Sequence, residues 1–158
     1  MRIGIISDTH GSMIDIEKII PYLKGCDLII HAGDYVDDAE YLHYATDIEV
    51  KSIKGNCDLY TRNESYELIF YVCNKKFFLC HGHHYDVKYG LNSLFKLAKE
   101  NDIDVVVFGH THIPLYKTID NITFINPGSI TYPRGGSEKS FGILTIINEE
   151  ISYENINI

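Results

Sequence analysis

Short apolar segments in this chain repeatedly end in a polar motif that contains Asp, Asn or His, usually beside a glycine. In an open α/β sheet the carboxyl ends of the strands converge on one edge, and glycine lets the backbone approach a ligand closely. The pattern therefore predicts that side chains far apart in sequence meet in one metal-binding site. The motifs are Asp8-Thr9-His10, Gly33-Asp34, Gly55-Asn56-Cys57-Asp58, His81-Gly82-His83 and Gly109-His110-Thr111-His112.

The first third of the chain alternates between β-rich apolar segments and segments with helical spacing of apolar residues. This alternation is the signature of βαβ units and predicts a parallel sheet. We expect strands over residues 2–6, 27–31 and 49–53, and helices over residues 13–23 and 38–45.

The pattern changes after Asp58, where a hairpin, a helix and further strands are predicted. Turn signals at Cys73-Asn74-Lys75, Asp120-Asn121 and Asn148-Glu149 separate adjacent strands. We expect a helix over 91–101 and strands over 67–72, 76–80, 105–108, 115–119, 122–125, 141–147 and 151–156.

Length and charge limit the classes of protein. A chain of 158 residues is typical of one domain, so we expect a single domain over residues 1–158. The net charge of -8 argues against broad binding to nucleic acid or anionic membranes, because both need a basic surface. The amino-terminal apolar run is too short for a signal peptide or a membrane span, so we expect a cytoplasmic protein. Without a C-x-x-C pair, the four cysteines are expected to be reduced thiols.

Spacing within the motifs is consistent with metal binding. Residues two apart in extended chain point to the same side, so Asp8 and His10 can face one ion together, as can His110 and His112. Taken alone, such a pair is more typical of surface or hydrogen-bonding residues, but five such motifs in order favour metal binding. Carboxylate, imidazole and amide ligands suit Mn, Fe, Zn, Co or Ni better than Ca.

The five motifs resemble those of the calcineurin-like metallophosphoesterase superfamily, in the same order, and the short chain is similar to its YfcE-type phosphodiesterases. The likeness spans nearly all of the chain. It implies a four-layer α/β/β/α sandwich of two mixed sheets with flanking helices. It also implies a site for two divalent metal ions at one edge, most often Mn²⁺, with Zn²⁺, Fe, Ni²⁺ or Co²⁺ as alternatives.

By position, the resemblance assigns a ligand set to each metal ion. Asp34 belongs to both sets and would bridge the ions, and Asn56 and His81 join it as the implied catalytic residues. Our hypothesis is that a hydroxide shared by the two metals attacks phosphorus in line with the leaving oxygen of a small phosphodiester. The first set is Asp8, His10, Asp34 and His112, and the second is Asp34, Asn56, His81 and His110.

Residues next to the ligands are candidates for the substrate pocket. Cys57 stands where the family motif often has a histidine thought to protonate the leaving group, and a thiol with a pKa near 8.5 is a poor substitute. The leaving group would then receive its proton from His83, Asp58 or water, or the enzyme would prefer substrates with good leaving groups. Tyr85 is a further candidate for the pocket wall or for support of the ligands.

Other residues near the motifs receive structural interpretations. We interpret His31, His43 and His84 as structural or surface residues. The segment Asn126-Pro127-Gly128-Ser129 resembles a family turn with a backbone function, and Arg134 is either a solvated loop residue or a phosphate contact.

Several alternatives remain at this point. A phosphomonoesterase or a protein phosphatase would use the same metal pair, and a non-catalytic protein-binding scaffold, as in the retromer coat, has the same fold. A nuclease is disfavoured, because the chain has no basic stripe or aromatic platform. Exposed strand edges and twelve tyrosines permit a homo-oligomer.

Overall fold

A computed structural model of the protein describes residues 1–59 and 64–158. Within these ranges it contains ten strands, three α-helices and one short 3₁₀ helix at His83–Tyr85. The described helices include none that is long and apolar enough to cross a membrane. The helices are α1 (Met13–Leu23), α2 (Asp37–Thr46) and α3 (Asn92–Glu100), and the strands are β1 (Arg2–Ile6), β2 (Leu28–His31), β3 (Val50–Ser52), β4 (Glu67–Val72), β5 (Lys75–Cys80), β6 (Val105–Val107), β7 (Leu115–Ile119), β8 (Ile122–Asn126), β9 (Ser140–Ile147) and β10 (Glu150–Asn157).

The strands form two five-stranded sheets. The first sheet has the order β10-β9-β1-β2-β3, and the second has the order β4-β5-β6-β8-β7. Strands β1, β2 and β3 are parallel, as the βαβ pattern predicted, and β5, β6 and β8 form the parallel part of the second sheet. The remaining pairs are antiparallel, so both sheets are mixed.

Three apolar cores separate four layers, and this confirms the expected α/β/β/α sandwich. Alternate residues of β1 face opposite sides because side chains in a strand alternate. Ile3 and Ile5 join the core between the two sheets, whereas Ile6 joins the core under α1 and α2. The third core lies between the second sheet and α3, where Leu94 packs near Phe124.

Two-residue turns set the register of the three hairpins. Cys73 and Asn74 connect β4 to β5 with φ angles of 48° and 62°, the left-handed conformation that a tight hairpin turn requires. Lys75, predicted as a turn residue, is instead the first residue of β5 and pairs with Val72. The predicted turns at Asp120-Asn121 and Asn148-Glu149 have the same left-handed conformation.

A connection that we call the crossing segment, residues 127–139, leads from β8 in the second sheet to β9 in the first. It contacts the loop that follows β1. The Ser129 hydroxyl donates to the Asp8 carbonyl at 2.8 Å, and the Thr131 hydroxyl donates to the Thr9 carbonyl at 2.8 Å. The crossing segment therefore holds the backbone of the first polar motif in place.

The core between the sheets makes a direct prediction about stability. Leu79 on β5 is fully buried there, so Leu79→Ala should lower the free energy of unfolding by about 2–5 kcal/mol through lost burial and a residual cavity. Leu59→Ala is the matched control, because Leu59 is 78% exposed and should cost less than about 0.5 kcal/mol. Urea unfolding followed by circular dichroism measures both, and equal losses would contradict the assignment of this core.

Candidate metal centre

The polar motifs lie where strands of both sheets end, as predicted. Parallel pairing places the end of β1 beside the end of β2, and the Asp8 N–H donates to the Gly33 carbonyl at 3.0 Å. In the second sheet, β5 and β6 are parallel neighbours, and the Gly109 N–H donates to the His81 carbonyl at 3.1 Å. The first sheet thus contributes the carboxylates, and the second contributes most of the imidazoles.

Four of the predicted ligands form a compact cluster. One ligand atom from each of Asp8, His10, Asp34 and His112 lies within 4.8 Å of the other three. His112 Nε2 is 3.0 Å from Asp8 Oδ1, and His10 Nε2 is 3.8 Å from Asp34 Oδ2. These are the four residues of the first expected ligand set.

From the second expected set, His81 lies beside Asp34 and His110 lies beside His81. His81 Nε2 lies 3.3 Å from Asp34 Oδ1 and 3.8 Å from Asp8 Oδ1. The His110 ring packs edge-on against His81 with centroids 5.2 Å apart. Asn56 is exposed, and its amide nitrogen lies 3.4 Å from Cys57 Sγ. Asp34 is therefore in contact with imidazoles from both sets.

The orientation of two imidazoles fits a cation. His81 Nδ1 lies 2.7 Å from the Ala32 carbonyl, and His112 Nδ1 lies 2.6 Å from the Tyr132 carbonyl. Because a carbonyl only accepts, each Nδ1 carries the hydrogen, and in the neutral ring each Nε2 directs a lone pair towards the carboxylates.

Two buried atoms of the cluster also lack a hydrogen-bond partner. In the described residues, Asp8 Oδ1 and His81 Nε2 are both buried and unpartnered. An unsatisfied buried acceptor is costly, and lone pairs that converge without a positive charge between them repel. This donor set therefore fits divalent metal ions.

Backbone and hydroxyl donors keep the two carboxylates ionised. Asp8 Oδ2 accepts from the Ser7 hydroxyl at 2.6 Å and from the His110 N–H at 3.0 Å, and Asp34 Oδ1 accepts from the Cys57 N–H at 2.9 Å. Burial raises the pKa of Asp34, but the neighbouring His81 imidazole, 3.3 Å away, outweighs that effect and lowers the pKa well below the usual range. The pKa of Asp8 is lowered in the same way, against burial, by the neighbouring imidazoles of His112 and His81. The site is therefore strongly negative.

The ligand backbone differs from the extended chain assumed in the spacing argument. Asp8 and His10 do face one cluster, but through left-handed turns and not through a continued strand. Residues other than glycine adopt this conformation uncommonly, although Asp, Asn and His do so more often than most. The φ angles are 54° at Asp8, 48° at His10, 60° at Asp34, 67° at His110 and 58° at His112.

His83 is the predicted pocket residue that lies beside the cluster. Its ring centroid is 5.4 Å from that of His81 and 6.0 Å from that of His110. Burial, followed by the nearby imidazoles of His84 and His81, lowers the pKa of His83 to about 4. Burial also lowers the pKa of His110 to about 4, with further contributions from His81 and Lys88.

Two other pocket candidates are used elsewhere in the structure. The Asp58 carboxylate accepts the N–H groups of Tyr35, Val36 and Gly55 at 2.7–2.9 Å, so it supports the loops around Asp34. The Tyr85 hydroxyl donates to Glu67 at 2.6 Å, and the Tyr85 ring packs on the apolar core of the second sheet. These hydrogen bonds show that both side chains support neighbouring structure, and their place in the substrate pocket stays a prediction.

Cys57 adjoins the cluster and is exposed. Burial of the thiol sulfur, followed by its hydrogen bond with Asp34 and the charge of Asp34, raises the pKa of Cys57 to about 11. The side chain is therefore a neutral thiol at pH 7, as expected from the sequence.

Several supporting residues did not emerge from the sequence as parts of the site. Asn126 Nδ2 donates to the Gly109 carbonyl at 2.7 Å and contacts the Thr111 hydroxyl at 3.1 Å, so its side chain acts where a backbone function was expected. Asn126 is the last residue of β8. It is a polar residue directly after an apolar segment, as in the five motifs, and that signal could have identified it. His31 is fully buried and lies 3.1 Å from the Thr9 hydroxyl, which agrees with its structural interpretation.

A carboxylate and imidazole cluster at the strand ends of a four-layer sandwich is the arrangement of the metallophosphoesterase fold. The family model described as the calcineurin-like phosphoesterase superfamily domain matches residues 1–149. The chain therefore belongs to the calcineurin-like phosphoesterase superfamily, whose members depend on metal ions.

Known proteins agree with this assignment. The probable metallophosphoesterase YsnB of Bacillus subtilis is 35% identical over 150 residues, which cover 94% of this chain and 86% of YsnB. The phosphodiesterase YfcE of Escherichia coli is 28% identical in an alignment of 170 positions, gaps included, that covers 91% of this chain and 87% of YfcE. A crystal structure of Vps29 from Entamoeba histolytica with zinc has a TM-score of 0.79 and 20% identity, covers 99% of this chain and 98% of Vps29, and shows the same fold.

The close approach of Gly109 to Asp8 generates a prediction about metal affinity. A Cβ at residue 109 would overlap the Ser7 hydroxyl and lie 2.6 Å from Asp8 Oδ2. Gly109→Ala should therefore displace the Asp8 carboxylate and weaken Mn²⁺ binding by about tenfold or more, as loss of ligand support does elsewhere. Titration calorimetry with Mn²⁺ measures the affinity, and circular dichroism checks that the variant is folded.

Gly136→Ala is the control for backbone strain without overlap, since residue 136 has a φ of 78° but a Cβ there would meet no atom within 4 Å. This variant should bind Mn²⁺ as the wild type does. Unchanged affinity in a folded Gly109→Ala variant would show that Asp8 does not hold the metal.

Proposed function

We propose that this protein is a phosphodiesterase that hydrolyses small phosphodiesters with two divalent metal ions. The observation that carries the proposal is the set of buried, unpartnered lone pairs of Asp8 and His81 around the shared Asp34 carboxylate. Membership of a metallophosphoesterase superfamily supports phosphoester chemistry. The name of the relative YfcE supports diesters over monoesters.

Asp34 is the residue through which the two ligand sets meet. Its Oδ2 faces His10 and its Oδ1 faces His81, so the two carboxylate oxygens point towards different imidazoles. Asp8, His10, Asp34 and His112 would hold one ion, and Asp34, Asn56, His81 and His110 would hold the other. A pair of divalent ions supplies an acidified water as nucleophile and positive charge for the phosphoryl oxygens.

The chain itself provides orientation and charge. The carbonyl groups of Ala32 and Tyr132 hold His81 and His112 in the tautomer that exposes Nε2. Ser7 and the His110 N–H fix one oxygen of Asp8 and leave the other for the metal. The mixed carboxylate and imidazole donors suit Mn²⁺, with Zn²⁺, Fe, Ni²⁺ and Co²⁺ as alternatives.

Proton donation to the leaving group is weak in this arrangement. The residue at position 57 is a cysteine, and its neutral thiol donates a hydrogen bond poorly. Both oxygens of Asp58 already accept backbone N–H groups, from Tyr35, Val36 and Gly55, so this side chain is engaged with the loops around Asp34. The enzyme should consequently prefer esters whose leaving groups need no protonation.

The bridging function of Asp34 leads to the principal test. Asp34→Asn removes the charge between the two ligand sets, so it should reduce the bound metal from about two ions to fewer than one. It should lower hydrolysis of bis(p-nitrophenyl) phosphate at least about 100-fold, because the charge that stabilises the reacting phosphate is lost with the metals. Elemental analysis, p-nitrophenol release with added Mn²⁺ and circular dichroism measure the three properties.

Asp37→Asn serves as the control, because Asp37 is an exposed residue of α2 outside the cluster. It should retain metal, activity and structure. Wild-type activity in Asp34→Asn would refute the bridging function. If the wild type stays active after all metal has been chelated, the metal-dependent reaction is refuted. If the metal-loaded wild type hydrolyses no phosphoester, a non-catalytic scaffold of the same fold is favoured.

Cys57→His tests the missing general acid. A histidine beside Asp34 would supply a better proton donor, so kcat/KM for diphenyl phosphate should rise about tenfold or more relative to bis(p-nitrophenyl) phosphate. The measurement is the ratio of the two kcat/KM values at pH 7. Cys57→Ala is the control and should leave this ratio unchanged. An unchanged ratio in a folded, active Cys57→His variant would refute the hypothesis that the missing proton donor limits the rate.

A further inference from the structure

A cavity of about 400 Å³ lies beside the candidate metal centre, and we call it the apolar cavity. Its volume falls within the range of small-molecule sites in proteins. Most of its wall is aliphatic or aromatic, and the wall includes Val87, Leu91, Phe108, Ile113 and Leu115.

The apolar cavity shares its wall with the segments that carry the proposed ligands. Thr111 lines the cavity and stands between His110 and His112 in the chain, so the cavity begins one residue from each of them. After the end of β5, Val87 packs against Gly82, and a Cβ at residue 82 would lie 2.8 Å from Val87 Cγ2. The cavity therefore adjoins the loops that carry His81, His110 and His112.

The charges of the apolar cavity are unusual for this protein. Lys88 and Arg134 contribute to the lining, and the lining includes no acidic residue, although the chain carries a net charge of -8. The Arg134 N–H donates to the His112 carbonyl at 3.1 Å, which fixes the Arg134 backbone next to a proposed ligand. Such a site favours a molecule that combines an apolar group with negative charge.

We propose that the apolar cavity binds an aromatic group of the phosphoester substrate while its phosphate lies at the metal centre. This inference rests on the proposed function and adds the class of ester that the site selects. A flat ring suits a wall formed by Phe108 and aliphatic side chains, because aromatic surface gains burial and ring contacts there. Lys88 and Arg134 add attraction for the negatively charged phosphate.

The test compares two phosphonates that carry the same charged group and whose C–P bond the enzyme does not hydrolyse. Benzylphosphonate has the ring and methylphosphonate lacks it. In calorimetric titrations of the Mn²⁺-loaded protein, benzylphosphonate should bind about tenfold more tightly, because the ring leaves water on entering the cavity. Equal affinities for the two compounds would overturn the inference.

Leu91→Asp places a charge in the apolar cavity at the N-cap of α3, a position where Asp is favoured and the fold should be retained. It should abolish the tenfold preference and leave methylphosphonate binding unchanged. Ile113→Asp, at a side chain that is 44% exposed, is a second variant with the same expected result. The control Ile147→Asp changes an exposed isoleucine outside the cavity and should keep the preference.

Lys88→Gln tests the charge separately. It should weaken the binding of both phosphonates by the same factor. Lys96→Gln, which changes an exposed lysine of α3 outside the lining, should weaken the binding of neither.

The outcomes separate this inference from the proposed function. A retained preference for benzylphosphonate in Leu91→Asp would overturn the assignment of the cavity. Ring-dependent binding without Mn²⁺-dependent hydrolysis would reject the proposed function alone, and hydrolysis without ring-dependent binding would reject this inference alone.

Discussion

The burial of two ionised carboxylates is the constraint on which the rest of this structure depends. Asp8 is fully buried and Asp34 nearly so, and an unpaired buried charge is costly. Short donors from Ser7 and from backbone N–H groups satisfy part of each carboxylate, and the remaining oxygens face imidazole nitrogens. The parallel pairing of β1 with β2 brings the two acids together, so the site follows directly from the order of the first strands.

Each sheet contributes a different part of the centre. Carboxylates come from loops of the first sheet, and three of the imidazoles, His81, His110 and His112, follow strands of the second. The apolar core between the sheets sets the distance between these groups, so packing of Ile5 and Leu79 in that core acts on the geometry of the site. The apolar cavity lies on the other face of the second sheet, where Leu91, Phe108 and Leu115 belong to the core between that sheet and α3.

Much of this arrangement could be predicted from the sequence, because strand ends and hairpin turns have strong local signals. Asp8, Asp34, His81 and their partners followed apolar segments, and turn pairs such as Asp120-Asn121 marked the hairpins. Three features could not be predicted: the left-handed turns of the ligands, the buried side chain of Asn126 and the packing of the Tyr85 ring on the core of the second sheet. These depend on which neighbours supply donors and apolar contacts after the sheets have packed, and spacing along the chain does not encode that.

The crossing segment has a consequence for the biosynthesis of the protein. Ser129 donates to the Asp8 carbonyl across 121 residues of sequence, and Tyr132 holds the Nδ1 of His112 through its carbonyl. A ribosome therefore releases the earliest acidic residue long before the groups that orient its surroundings leave the exit tunnel. Closing a loop of this length is entropically costly and is not possible before both ends have been synthesised. The nascent polypeptide consequently completes the cluster of carboxylates and imidazoles, with its supporting carbonyl groups, only after Tyr132 has left the ribosome.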